Sequence, residues 1–215
     1  MARKDTLLLF DLDGTLWDSA APVAAAWNEV FQREDPSLPL LTPDDIYGVM
    51  GMTMREIGET LYPSWHSPSR KAIFDECCTY EVEYLRSHCG VLYPDFHPVL
   101  ESLRAEGYEL AIVSNCQTGY IDAFLASSGA ADLFLDYEEW QRTGLVKGEN
   151  IRLVMSRNGY SKGFYIGDTE KDREAALLAR IPFIHAAYGF GKVKSADGVI
   201  RSLRDLPGVV KILDR

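Results

Sequence analysis

Apolar and polar residues change rhythm twice along this chain. Thr6-Leu7-Leu8-Leu9-Phe10 is an apolar run with no polar alternation, as expected of a strand buried on both faces of a parallel sheet. From Asp18 the rhythm turns helical. Residues 20–31 place Val23, Trp27, Val30 and Phe31 at spacings of three and four, an apolar stripe on one helix face. After the break Asp35-Pro36-Ser37-Leu38-Pro39, the string Thr42-Pro43-Asp44-Asp45 reads as an N-cap, a first-position proline and first-turn acids. Thr53-Met54-Arg55-Glu56 has capping-box spacing, and Ser67-Pro68 opens a long segment to about His88. Residues 17–91 therefore read as an all-helical insertion, a small bundle rather than a chain of loops, with hinges near 16–18 and 90–94.

After the insertion, helix and strand alternate. Helices are expected at 96–106, 118–127, 150–158 and 170–180, and strands at 108–113, 132–135, 163–166 and 182–186. Alternation of this kind specifies a parallel sheet with helices on both faces. The fold class is thus α/β and Rossmann-like, with residues 1–16 and 92–215 as the core and 17–91 inserted after the first strand. No internal repeat or low-complexity tract interrupts the pattern.

Composition narrows the function. The 215 residues carry a formal net charge of −10 with a pI near 4.9, the wrong sign for neutralising a nucleic-acid backbone; a single nucleotide could still be a substrate. Cys77, Cys78, Cys89 and Cys116 have no metal spacing, and neighbours such as Cys77-Cys78 pair poorly, which suits a reducing cytoplasm. His66, His88, His97 and His185 are scattered. The start Met1-Ala2-Arg3-Lys4 is broken by Asp5 before a run too short for a signal peptide. No apolar stretch approaches the ~20 residues of a membrane span. A soluble cytoplasmic protein with no membrane partner is expected.

Candidate chemistry gathers at the ends of the expected strands, where open α/β sheets bind ligands. Asp11-Leu12-Asp13-Gly14-Thr15-Leu16 follows the first strand. At ~4 Å and an effective dielectric near 20, two carboxylates repel by roughly 4 kcal/mol, so a cation should sit on them. Ser114-Asn115 closes a second strand, where a hydroxyl and backbone N–H groups could hold an oxyanion or simply cap the next helix. Lys147, in Gly144-Leu145-Val146-Lys147-Gly148, can offset a phosphate and carboxylates; a lone lysine in a polar loop is otherwise solvated. Gly167-Asp168-Thr169-Glu170-Lys171-Asp172 supplies more acids, some suited to a helix N-terminus, the reading preferred for Glu170. In the insertion, Arg55 either reaches a second anionic group or points to solvent. Cys116 reads as a small buried loop residue, with a reactive thiol as the alternative.

These four segments, in this order, resemble the haloacid dehalogenase superfamily of phosphohydrolases, in its helical-cap subclass and phosphoglycolate phosphatase-like branch. Leu92-Tyr93-Pro94, and Tyr188-Gly189-Phe190-Gly191 followed by Asp197-Gly198-Val199-Ile200, extend the resemblance over nearly the whole chain. It implies that Asp11 attacks phosphorus, Asp13 moves the proton, and Ser114 and Lys147 bind the phosphoryl group with Asn115. It also implies that Asp11, Asp13 (by its backbone carbonyl) and Asp168 hold Mg²⁺, that Asp172 supports the metal, and that residues 17–91 are a cap choosing the substrate. Dehalogenating and phosphonate-cleaving members lack an acid at the position of Asp13, so phosphoester chemistry is implied. The substrate would be a small phosphorylated metabolite, phosphoglycolate-like or a sugar phosphate, handled by a monomer or weak homodimer. A β-phosphoglucomutase-type phosphomutase and a non-catalytic phospho-ligand binder share the pattern. The chain departs from it at Gly148, where proline is common and a mobile loop is therefore expected, at Asp95 in place of glycine, and at Arg180-Ile181 in place of Ala-Gly.

Overall fold

The computed structural model describes residues 4–61 and 67–215; His66 and the Met1-Ala2-Arg3 start lie outside them. Six parallel strands form one sheet: β1 (Thr6–Phe10), β4 (Glu109–Ser114), β5 (Asp136–Glu139), β6 (Lys162–Gly167), β7 (Phe183–Ala186) and β8 (Gly198–Ile200), in the order β5-β4-β1-β6-β7-β8. The run read as a buried strand is central β1, every residue of which is buried. Its side chains alternate between two cores. Leu8 and Phe10 join Leu110, Ile112 and Ile166 beneath α5 (Phe96–Ala105), α6 (Tyr120–Ser128) and α10 (Leu206–Leu213). Leu7 and Leu9 join Ala111, Val113 and Tyr165 beneath α8 (Lys147–Arg157) and α9 (Glu170–Ala179).

Between β1 and β4 lie α1 (Ala20–Glu34), α2 (Pro43–Tyr47), α3 (Met54–Leu61) and α4 (Pro68–Ser87). The stripe Val23, Trp27, Val30 and Phe31 is buried, and α1 packs along α4. The Thr42–Asp45 capping box forms on α2. The Thr53–Glu56 pair forms too, its backbone N–H groups each meeting the other's side chain. Where the two hinges were expected, β2 (Trp17–Asp18) and β3 (Val91–Leu92) pair antiparallel as a short ribbon.

Two expectations need correction. The strand anticipated at 132–135 lies instead at Asp136–Glu139, with a 3-10 turn at Ala131–Leu133. Its residues are polar because β5 is an edge strand, and Arg157 holds both Asp136 (2.6 Å) and Glu138 (2.6 Å). The helix anticipated at 150–158 begins at Lys147, so Lys147 and Gly148 form a buried first turn rather than a mobile loop. Gly148 presses on α9: a Cβ there would lie 2.7 Å from the Ala175 carbonyl oxygen. Close packing, not the ring of a proline, fixes that turn.

Candidate active site

The topology delivers the site. Asp11 directly follows β1, Ser114 ends β4, Asp168 follows β6, and α8 starts at Lys147, so all four stand at the carboxyl edge of the sheet, where β1 lies between β4 and β6. Gly14 turns the chain there at φ +80°, a conformation open to glycine. A Cβ at this position would fall 2.4 Å from Asp168 Oδ2, so the same glycine lets the first acidic segment meet the last.

Lys147 is the hub. Its Nζ donates to Asp11 Oδ1 at 2.9 Å and to Asp172 Oδ1 at 2.7 Å, and all three groups are buried. Burial opposes its charge, but Asp11 and Asp172 outweigh that and hold the ammonium well above its ordinary range. Asp172 is fixed from its other oxygen by the N-terminus of α9, where Thr169 donates from N (2.9 Å) and Oγ1 (2.6 Å). Asp168 Oδ2 accepts from the backbone N–H groups of Phe190 (2.7 Å) and Gly191 (3.1 Å).

One lysine does not balance these acids. Burial, then the charge of Asp172, pushes Asp11 up to about 7 despite Lys147. Burial with Asp172 and Asp11 pushes Asp168 up to about 8 despite its two N–H bonds. Asp168 Oδ1 is buried with no hydrogen-bond partner, an unsatisfied carboxylate oxygen of the kind that costs free energy. Asp11, Asp168 and Asp172 each offer an oxygen within 4.8 Å of the others. An all-oxygen, electron-rich set with one oxygen left open fits a hard divalent cation.

Asp13 points elsewhere. Its Oδ1 lies 2.6 Å from Ser19 Oγ and 2.9 Å from Tyr120 Oη, which are themselves 2.8 Å apart. Burial raises the Asp13 pKa while the Ser19 and Tyr120 donors pull it down. The triangle engages Oδ1 of Asp13, and the residue lines the same cavity as Asp11.

Asp11, Asp13, Ser114 and Asn115 line one cavity of about 50 Å³, room for a few waters. The inserted helices supply its other wall, with Met52, Met54 and Ile57 from around α3 and Glu81 from α4. Asn115 Nδ2 also donates to the Gly51 carbonyl at 3.2 Å, tying β4 to the loop before α3. Arg55 is not brought to the site: its side chain is 73% exposed and pairs with Glu59 at 3.1 Å. It follows Met54 by one residue, so about 100° of helix rotation separates their directions, and Met54 is the one that is buried. Cys116 is buried, and burial, with Glu139 nearby, holds its thiol well above the ordinary value, the inert state of a structural cysteine.

The sequence reading missed Ser19, Tyr120, Gln117 and Glu81. For Glu81 a signal existed. It stands four residues after Cys77 and four before Leu85, on the buried stripe of α4 with Phe74, where an acid is out of place.

The sequence model of the haloacid dehalogenase-like hydrolase family matches residues 8–186, and the chain belongs to that family. Among individual relatives it is 31% identical over 204 residues to a phosphoglycolate phosphatase of Colwellia psychrerythraea, covering 87% of each chain. It is 29% identical to that of Pasteurella multocida, over 86% of each. The crystal structure of a predicted phosphoglycolate phosphatase from Haemophilus somnus shares the fold with a TM-score of 0.82, at 22% identity over 96% of this chain and 99% of that one.

Proposed function

We propose that this protein is a Mg²⁺-dependent phosphatase that hydrolyses small phosphorylated metabolites, phosphoglycolate-like or sugar phosphates, through an aspartyl-phosphate on Asp11. The observation that carries this reading is the buried Asp11–Lys147–Asp172 chain beside the unpartnered Asp168 oxygen. Asp11, Asp168 and the Asp13 carbonyl would hold Mg²⁺, with Asp172 supporting them; when bound, the ion neutralises charge on the phosphoryl oxygens.

Lys147 fixes Asp11 Oδ1 and so orients the carboxylate for attack. As the oxygen–phosphorus bond to Asp11 forms and the bond to the alcohol breaks, Asp13 gives its proton to the leaving oxygen. Asp13 then takes a proton from the water that hydrolyses the acyl phosphate, restoring Asp11. Ser114, Asn115 and Lys147 bind phosphoryl oxygens throughout, positioning and electrostatics being the main levers of such chemistry. Residues 17–91 act as a cap over the core, jointed at the β2–β3 ribbon, and shut water out. Four free cysteines fit a reducing cytoplasm, and no described helix is long and apolar enough to cross a membrane. The enzyme works as a monomer or weak homodimer.

Asp11→Asn keeps the shape of the side chain and removes the nucleophile. Release of inorganic phosphate should fall to background with the fold intact by circular dichroism; sustained turnover in a clean preparation refutes the reading. Isomerised sugar phosphate in place of free phosphate would point to a phosphomutase.

A further inference from the structure

The part of the cavity beside the inserted helices is built from unlike parts. Met52, Met54 and Ile57 give it apolar walls, and Glu81 and Gln117 give it polar ones. Among the described lining residues none is lysine, arginine or histidine. The nearby cations are already paired, Lys147 with Asp11 and Asp172 on the phosphoryl side, Arg55 with Glu59 and Lys171 with Glu56 at 2.9 Å. A carboxylate on the leaving group would therefore enter a buried chamber facing Glu81 and Asp13 with no counter-charge, which is strongly unfavourable.

Glu81 is itself anchored. It is 4% exposed, and the Trp27 indole N–H donates to its Oε2. Burial pushes its carboxyl up to about 7, against the Trp27 and Gln117 groups beside it. Gln117, 3% exposed, keeps a buried Nε2 that meets no partner in hydrogen-bonding geometry. The Gln117 amide, near enough to draw the Glu81 carboxyl down yet outside hydrogen-bonding geometry, leaves a donor and an acceptor that do not close on each other facing one small space. A hydroxyl serves both, donating to the carboxylate and accepting from the amide. With Glu81 ionised, above the value of about 7 to which burial pushes it, an ammonium pairs with the carboxylate but has no lone pair for the Gln117 N–H, and a carboxylate has no proton to donate.

Resting on the phosphatase reading above, we propose that Glu81 and Gln117 form the specificity element of this site by holding one hydroxyl of the leaving group. The substrates are then small polyol or sugar phosphates rather than phosphoesters of hydroxy acids. The pair makes its contacts away from the reacting atoms and selects by leaving a donor or acceptor unpaired when the wrong group enters.

Three near-isosteric esters test this with the purified full chain and Mg²⁺ at a pH above the Glu81 value of about 7: 2-hydroxyethyl phosphate, 2-aminoethyl phosphate and phosphoglycolate, with acetyl phosphate reporting the chemistry itself. The hydroxyl ester should exceed the other two in kcat/KM by a factor of about ten or more, the size of one hydrogen bond to a charged partner. Glu81→Gln, which can still accept from Trp27, should narrow that ratio mainly through KM, and Gln117→Leu should do the same by a second route. If acetyl phosphate is turned over but the hydroxyl ester has no advantage, or phosphoglycolate or the amine is preferred, the Glu81–Gln117 assignment falls alone. If acetyl phosphate and all three esters are inert, the phosphatase reading falls and this assignment with it.

Discussion

Three oxygens in mutual contact, those of Asp13, Ser19 and Tyr120, have only two protons among them while Asp13 is ionised. A proton on Asp13 completes the ring, surroundings that suit the proton-delivering role proposed for it. Tyr120→Phe removes a donor that favours the ionised form, so the Asp13 pKa should rise. We expect kcat to fall about tenfold, the cost of one charge-assisted hydrogen bond, with the alkaline limb of the pH–rate profile, set by the acid that must be protonated, displaced to higher pH. An unmoved profile would separate Tyr120 from Asp13. The acids of this site were legible because each sits beside a strand end in a short motif. Their partners were not, since Tyr120 meets Asp13 across 107 positions of sequence and no local pattern records that packing. Glu81 was half legible: its place on an apolar stripe was visible, but not what it faced.

Helix α3 shows how a one-residue offset decides a side chain's fate. Met54 turns into the cavity wall and Arg55 into solvent. Arg55→Ala should therefore leave kcat and KM within error for anionic and neutral substrates alike. It should cost about 0.5 kcal/mol or less in urea unfolding, the range of an exposed i,i+4 pair. A raised KM for anionic substrates alone would restore Arg55 to the site. Element type was readable from periodicity as far as β7 for most elements; the short helix at Trp140–Thr143, strand β8 and helix α10 were not anticipated. Edge strand β5 escaped because Arg157 satisfies its acids from another helix, a compensation that the local string does not contain. The departures at Asp95 and Arg180 fall on backbone in the left-handed region, at φ 65° and 62°. Those two turns keep their geometry without glycine, at a cost of roughly 1 kcal/mol or more each.

Taken whole, the molecule holds a surplus of buried negative charge on the axis between its two cores. Asp11 and Asp168 have folded pKa values of about 7 and about 8, above those of an unfolded chain, so between the ordinary carboxylate range and pH 8 the folded state binds more protons. Stability of the metal-free protein therefore falls as pH rises through that window. Mg²⁺ should remove the penalty. Thermal unfolding with Mg²⁺ and with chelator should differ by several degrees at pH 8 and by far less at pH 5. Equal shifts at both, or none, would detach the metal from these acids. Core and insertion meet beside the cavity through the Asn115–Gly51 hydrogen bond, the Lys171–Glu56 pair and the Tyr47 ring on Phe190, 5.0 Å between centroids. Such fastenings are individually weak, and the ion pair weakens further in salt. With residues 17–91 as the proposed cap, the space of about 50 Å³ is unlatched at these fastenings to admit or discharge a molecule. On that proposal, rising ionic strength should loosen the latch and change throughput quite apart from any effect on the chemistry behind it.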